Sequence, residues 1–176
     1  VGRNALLVNT TGATNTAVGF GAGAANTTAT GIVAIGKNAL TANTTGDFNV
    51  AVGLHTLDAN TTGTGNIGMG LSALGENTTG GNNVGLGQGS LAANTTASNN
   101  TAVGHSALTT NTTGAENLAA GTNALEANTT GPKSVALGMS CLKAATTAGE
   151  NVGLGHSSGI SVSTGEHNTL LGFFAA

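Results

Sequence analysis

Glycine returns at every seventeenth residue of this chain: Gly2, Gly19, Gly36, Gly53, Gly70, Gly87, Gly104, Gly121, Gly138, Gly155 and Gly172. No insertion interrupts the series anywhere in the 176 residues. A fixed period this short leaves room for one small supersecondary unit per repeat. The sequence therefore calls for a stack of near-identical coils, each touching only its neighbours, rather than a single globular core.

Other positions keep the same beat. Threonine is unbroken at Thr11, Thr28, Thr45, Thr62, Thr79, Thr96, Thr113, Thr130, Thr147 and Thr164. Two residues earlier stand Asn9, Asn26, Asn43, Asn60, Asn77, Asn94, Asn111 and Asn128, until Ala145 and Val162 end the run. A second asparagine series reads Asn15, Asn49, Asn66, Asn83, Asn100, Asn117, Asn151 and Asn168, with Ile32 and Ser134 as exceptions. The consensus is N-T-T-G-x-x-N-(V/T)-A-(V/L)-G-x-x-A-L-x-A. In Val33-Ala34-Ile35 and Val50-Ala51-Val52, branched and small residues alternate with the period of a strand, so one set faces each side. Beyond Ile35 comes the leucine series, Leu40, Leu57, Leu74, Leu91, Leu108, Leu125 and Leu142. The N-T-T-G stretch is a turn by composition.

These patterns predict an all-β parallel β-solenoid with two short strands and two turns per seventeen-residue coil. About ten coils stacked at about 4.8 Å give a rod of roughly 50 Å. Val, Ile and Leu of the strand are expected inside with the leucine series. The small series Ala17, Ala34, Ala51, Gly68, Gly85, Ala102, Ala119, Ala136 and Gly153 is then outside, where another backbone can approach closely. Chains are expected to bury this strip against each other in a closed cyclic oligomer. The constant glycine marks a conformation or close approach that a Cβ forbids. The glycine after N-T-T, replaced by Ala29, Ala97 and Ala148, needs no positive φ. The constant glycines and the Asn26 and Thr28 series form structural ladders, the polar ones hydrogen-bonding to their own kind in the next coil. Residues 1–176 read as one repeat domain. Opening at Val1 in mid-strand and closing at Ala176 within a coil, they read as a segment of a longer fibre.

Composition narrows the chemistry. Four Lys/Arg against seven Asp/Glu give a net charge of −3 and no basic stripe for nucleic acid. No apolar run is long enough to cross a membrane, so no membrane insertion by this segment is expected. Cys141, the one cysteine, supplies neither a disulfide framework nor a metal motif. His105 and His156 share a repeat position but lie about 14 Å apart at strand spacing, too far to ligate one metal within a chain. Asp47, Asp58, Glu76, Glu116, Glu126, Glu150 and Glu166 fall at scattered positions, whereas general acid–base catalysis needs paired groups in a cleft. Strings such as Gly85-Leu86-Gly87 belong to the repeat and precede no helix, which excludes a phosphate loop. The N-x-T sequons at Asn9 and Asn26 read as structural, since a glycan on every coil would crowd the stack. Trp and Tyr, the usual platforms for stacking sugars or bases, are absent. The chain thus reads as no enzyme, with no catalytic, cofactor or metal site.

Val33-Ala34-Ile35-Gly36-Lys37-Asn38-Ala39 and Ser134-Val135-Ala136-Leu137-Gly138 resemble the S-V-A-I-G repeats of trimeric autotransporter adhesin heads (YadA-like). The unit Asn100-Thr101-Ala102-Val103-Gly104-His105-Ser106-Ala107-Leu108 followed by Asn111-Thr112-Thr113-Gly114 is similar to the repeats of phage tail fibres. The resemblance covers essentially the whole chain, although the coil here is longer than the adhesin unit. It implies a left-handed parallel β-roll assembled as a parallel homotrimer, extracellular, on a virion or cell surface. The function it implies is a structural and adhesive fibre segment whose partner is a cell-surface glycan or protein receptor. An extracellular filament or coat protein without a receptor is the alternative. Ice binding ranks below both, because the threonines lie in a turn-like context rather than as T-x-T on a flat strand.

Overall fold

The computed structural model describes residues 1–175. One strand forms per coil: β1 (Thr16–Val18), β2 (Val33–Ile35), β3 (Val50–Val52), β4 (Ile67–Met69), β5 (Val84–Leu86), β6 (Thr101–Val103), β7 (Leu118–Ala120), β8 (Val135–Leu137), β9 (Val152–Leu154) and β10 (Thr169–Leu171). They make a single parallel sheet of ten strands in chain order. Each strand pairs with the next in the seventeen-residue register, Val18 opposite Ile35 and Ile35 opposite Val52. The protein is an all-β parallel β-solenoid, and no helix occurs among the described residues.

The expected second strand is a column of stacked turns. Its backbone visits the left-handed region repeatedly, with φ of 58° at Asn38 and 51° at Leu40, which no β-strand tolerates. Coils are nevertheless bonded along this wall: Asn38 N–H donates to Phe20 O at 2.8 Å, and Leu40 N–H to Thr56 O at 3.0 Å. A left-handed leucine costs about 1–2 kcal/mol, and burying its side chain returns about 1.5–3 kcal/mol. All seven leucines from Leu40 to Leu142 are fully buried.

The strand faces the opposite way from the sequence expectation. Ala34, Ala51, Ala102, Ala119 and Ala136 are buried with no exposure, while Val18, Ile35 and Val103 are 45%, 39% and 40% exposed. The reason is the width of the coil. Leucine already projects inward from the turn wall, and what remains opposite it accommodates a methyl group or a hydrogen but not a branched side chain. The small strip is therefore the core, not an interface.

The exceptions to the repeat obey the same volume rule. Where Gly23 replaces a leucine, Ile32 replaces the buried asparagine and fills the gap; a Cβ on Gly23 would lie 3.5 Å from Ile32 Cδ1. Where Gly159 replaces a leucine, Leu170 replaces the strand alanine, its Cδ1 lying 2.6 Å from the Cβ position on Gly159. Thr56 and Cys141, the bulkiest residues at their repeat position, each face a glycine: a Cβ on Gly68 would meet Thr56 Cγ2 at 2.6 Å, and one on Gly153 would meet Cys141 Sγ at 2.5 Å. Close-packed interiors conserve volume, so the substitutions come in pairs.

The constant glycine is required twice over. Gly87 has φ of +133°, and a Cβ there would stand 2.5 Å from Gly104 O on the next coil. The glycine after N-T-T shows no positive φ, in keeping with its replacement by Ala29, Ala97 and Ala148.

Three outcomes are expected from chemical denaturation. Gly87→Val should lower stability by at least about 1–3 kcal/mol, the cost of a disfavoured backbone conformation alone. Gly23→Leu should cost about 1–3 kcal/mol by overpacking against Ile32, and the added change Ile32→Asn should restore most of it by returning the consensus coil. Ala102→Glu buries a charge in the core cluster that also holds Leu91 and Leu108 and should abolish cooperative folding, not merely assembly. A folded Ala102→Glu variant would show that this strip is not the core.

Candidate functional site

Two buried asparagine columns flank the core. In the Asn26 column, Nδ2 of each residue donates to Oδ1 one coil earlier: Asn43 to Asn26 at 3.2 Å, Asn60 to Asn43 at 2.8 Å, Asn77 to Asn60 at 2.8 Å. The second hydrogen goes to the carbonyl three residues on, as from Asn60 to Gly63 O at 3.0 Å. In the second column, Asn66 N–H donates to Asn49 Oδ1 at 2.8 Å, and Asn66 Nδ2 reaches Gly80 O at 2.8 Å. Any of these groups left unpaired in the core would cost about 1–3 kcal/mol. The Asn26 side chains, buried and doubly engaged, present no acceptor for a glycan.

The threonine ladder belongs to the neighbouring series. Thr27 Oγ1 donates to Thr44 O at 3.0 Å, Thr44 Oγ1 to Thr61 O at 3.0 Å, and Thr61 Oγ1 to Thr78 O at 3.1 Å. Thr28, Thr45, Thr62, Thr79, Thr96, Thr113, Thr130 and Thr147 are exposed, and in most of these coils it is the backbone N–H that bonds, as Thr28 N–H donates to Thr44 O at 3.3 Å. The Thr27 series is broken only by Ser163 and the Thr28 series not at all, so it is the turn of the backbone that decides which hydroxyl bonds. What is left outside is a single exposed row of threonines.

The outer face of the sheet is the principal candidate surface. It carries the Val33 and Ile35 rows, and beyond the constant glycine a third row with Phe20, Leu54, Leu71, Met139 and Phe173 among polar residues such as His105. Met69 and Leu154 are 46% and 45% exposed. At strand spacing this face is about 48 Å long and about 10 Å wide, on the order of 500 Å². That lies in the upper range of contiguous apolar patches on monomeric proteins, which are often functional.

The turn wall carries a shallow groove of about 450 Å³, lined by His55, Asp58, Ser72, Gly75 and Glu76 among others. Gly75 opens it where neighbouring coils carry Asp58 and Ala92, and Glu76 stands at a position held mainly by alanine. His55 Nδ1 lies 2.9 Å from Asp58 Oδ2. Asp58 and Glu76 occupy different repeat positions, eighteen residues apart, so the seventeen-residue period alone does not pair them, and it is the path of the turn wall that brings both to one groove. Among the described residues, no group of three or more His, Cys, Asp and Glu is placed to hold a metal ion. No described helix is long and apolar enough to cross a membrane.

Compared with known protein families, curated proteins and solved structures, the chain finds no match.

Cys141 is a free, buried thiol. Burial pushes its pKa up, partly offset by a hydrogen bond with the Leu137 backbone. An unfolded chain ionises this thiol near pH 8.5 while the folded one does not. The stability it contributes is therefore complete below that pH and is lost as pH rises toward the folded value. Alkylation by iodoacetamide at neutral pH should be slow in the folded protein and rapid in denaturant. Equal rates in both states would show the thiol to be accessible.

Proposed function

We propose that this chain is a structural and adhesive segment of an extracellular surface fibre, of the phage tail fibre or adhesin head kind, assembled as a parallel homotrimer. The observation that carries this is the apolar outer face, continuous over all ten strands of a rod whose core is otherwise closed. An open face of this kind draws copies together, and burial of its area at about 25 cal/mol per Å² supplies on the order of 10 kcal/mol per chain before association costs. Parallel chains around one axis set each coil against the same coil of its neighbours, so apolar rows meet apolar rows at every height. The contact surface is the Val33 and Ile35 rows, not the alanine strip. Trimeric state and left-handed coil are those of the repeats this sequence resembles.

In this reading the sheet faces the fibre axis, and the turn wall with its threonine row and polar groove faces outward toward a cell-surface glycan or protein receptor. The rigid ladders serve projection: a stiff rod holds such contacts away from the virion or cell surface.

Light scattering of the intact chain should give three times the 16.7 kDa chain mass. Ile35→Glu combined with Val103→Glu should reduce it to monomers that keep the β-type circular dichroism of the parent, because these side chains point out of the coil. A wild-type chain that stays monomeric at micromolar concentration would overturn both the trimer and the fibre role built on it.

A further inference from the structure

The Asn26 column ends abruptly inside the core. Asn128 donates to Asn111 Oδ1 at 2.8 Å and to Gly131 O at 3.0 Å, but its own Oδ1 is buried without a partner. One coil further stands Ala145, also fully buried, where every earlier coil has asparagine. In those coils a single amide NH2 bridges two acceptors. Asn60 Nδ2, for example, bonds Asn43 Oδ1 at 2.8 Å and Gly63 O at 3.0 Å. The equivalents beside Ala145 are Asn128 Oδ1 and Ala148 O. Both crowd one point: a Cβ built on Gly131 would lie 2.6 Å from Asn128 Oδ1 and still closer to Ala148 O.

Ala148 O has lost a second donor as well. Its counterpart Gly63 O also accepts from Asn49 Nδ2 at 2.7 Å, and Gly131 O accepts from Asn117 Nδ2 at 2.9 Å. The residue that would serve Ala148 O is Ser134, whose side chain is too short to follow that path. Its Oγ instead accepts Asn151 N–H at 3.2 Å, which leaves its proton free to point inward. Two buried acceptors thus converge, with an uncommitted hydroxyl on the neighbouring column, where two asparagine side chains have been shortened.

We infer that a single buried water molecule occupies this break, donating one hydrogen to Asn128 Oδ1 and the other to Ala148 O, and accepting from Ser134 Oγ. Water reproduces the two diverging donors of the missing amide. Three hydrogen bonds are what a buried structural water typically makes, and replacing Asn by Ala removes three heavy atoms, enough space for one. The site calls for a neutral donor of this size, since an unpaired acceptor pair in an apolar core is costly and, among the described residues, no group of three or more His, Cys, Asp and Glu is placed to hold a metal ion.

A high-resolution crystal structure of the full chain should show this water at about 2.7–3.0 Å from both acceptors. In solution, a nuclear Overhauser effect from bound water to the Ala145 methyl should be seen. Ala145→Asn should displace the water and slow amide exchange of this coil roughly fivefold, the effect of about one net hydrogen bond; the new Oδ1 then faces Val162, which solvent reaches in part. A dry gap, a metal cation at the site, or an Asn128 rotated onto a protein donor would overturn the inference, whether or not the variant folds.

Discussion

The buried asparagine columns are the constraint on which the rest of the structure depends. An amide inside a narrow core is tolerable only if its hydrogens and its oxygen find partners, and along the Asn26 column up to the break at Ala145 they do so in the coil above, the coil below or the residue's own turn. Those bonds close only when successive coils are of equal length. A single inserted residue would offset the column and orphan several polar groups at once, which explains why the glycine series runs unbroken from Gly2 to Gly172. The columns thus convert a local hydrogen-bond requirement into a period for the whole chain.

The second constraint is width. With leucine entering from the turn wall, the sheet side of the interior takes only alanine or glycine. The paired exceptions, Gly23 with Ile32 and Gly159 with Leu170, show that the interior volume is held constant even where the repeat is not. A consequence follows for the surface. Branched residues excluded from the core are placed on the outer faces of the strands, so the narrowness of the coil itself creates the apolar stripe there. Core packing and surface composition are linked through one geometric quantity.

Ladder logic also locates the breaks in the columns. Toward the C-terminal end Ala145 and Ser134 interrupt them, and Asn128 Oδ1 is left buried without a partner from the chain. The groove at His55 and Glu76 lies on the outer side of the turn wall, among side chains that no column constrains, and there the residues differ from coil to coil.

The period, the parallel stacking, the burial of the leucines and the need for glycine at the constant position were all legible in the chain, because each is a local property repeated many times. Repetition turns a weak propensity into a strong signal. The sequence also showed that strand residues alternate between two faces, but not which face is inward: hydrophobicity favoured Val33 and Ile35, and the structure chose Ala34. That choice rests on the distance between opposite walls, which depends on left-handed backbone at Asn38 and Leu40 that no propensity for leucine would suggest. Likewise two adjacent constant threonines look equivalent on paper, and only the closed coil turns Thr27 toward a carbonyl and Thr28 toward solvent. Sequence determined what repeats; the tertiary structure decided the interior width, and with it which side of each strand is core and which is surface.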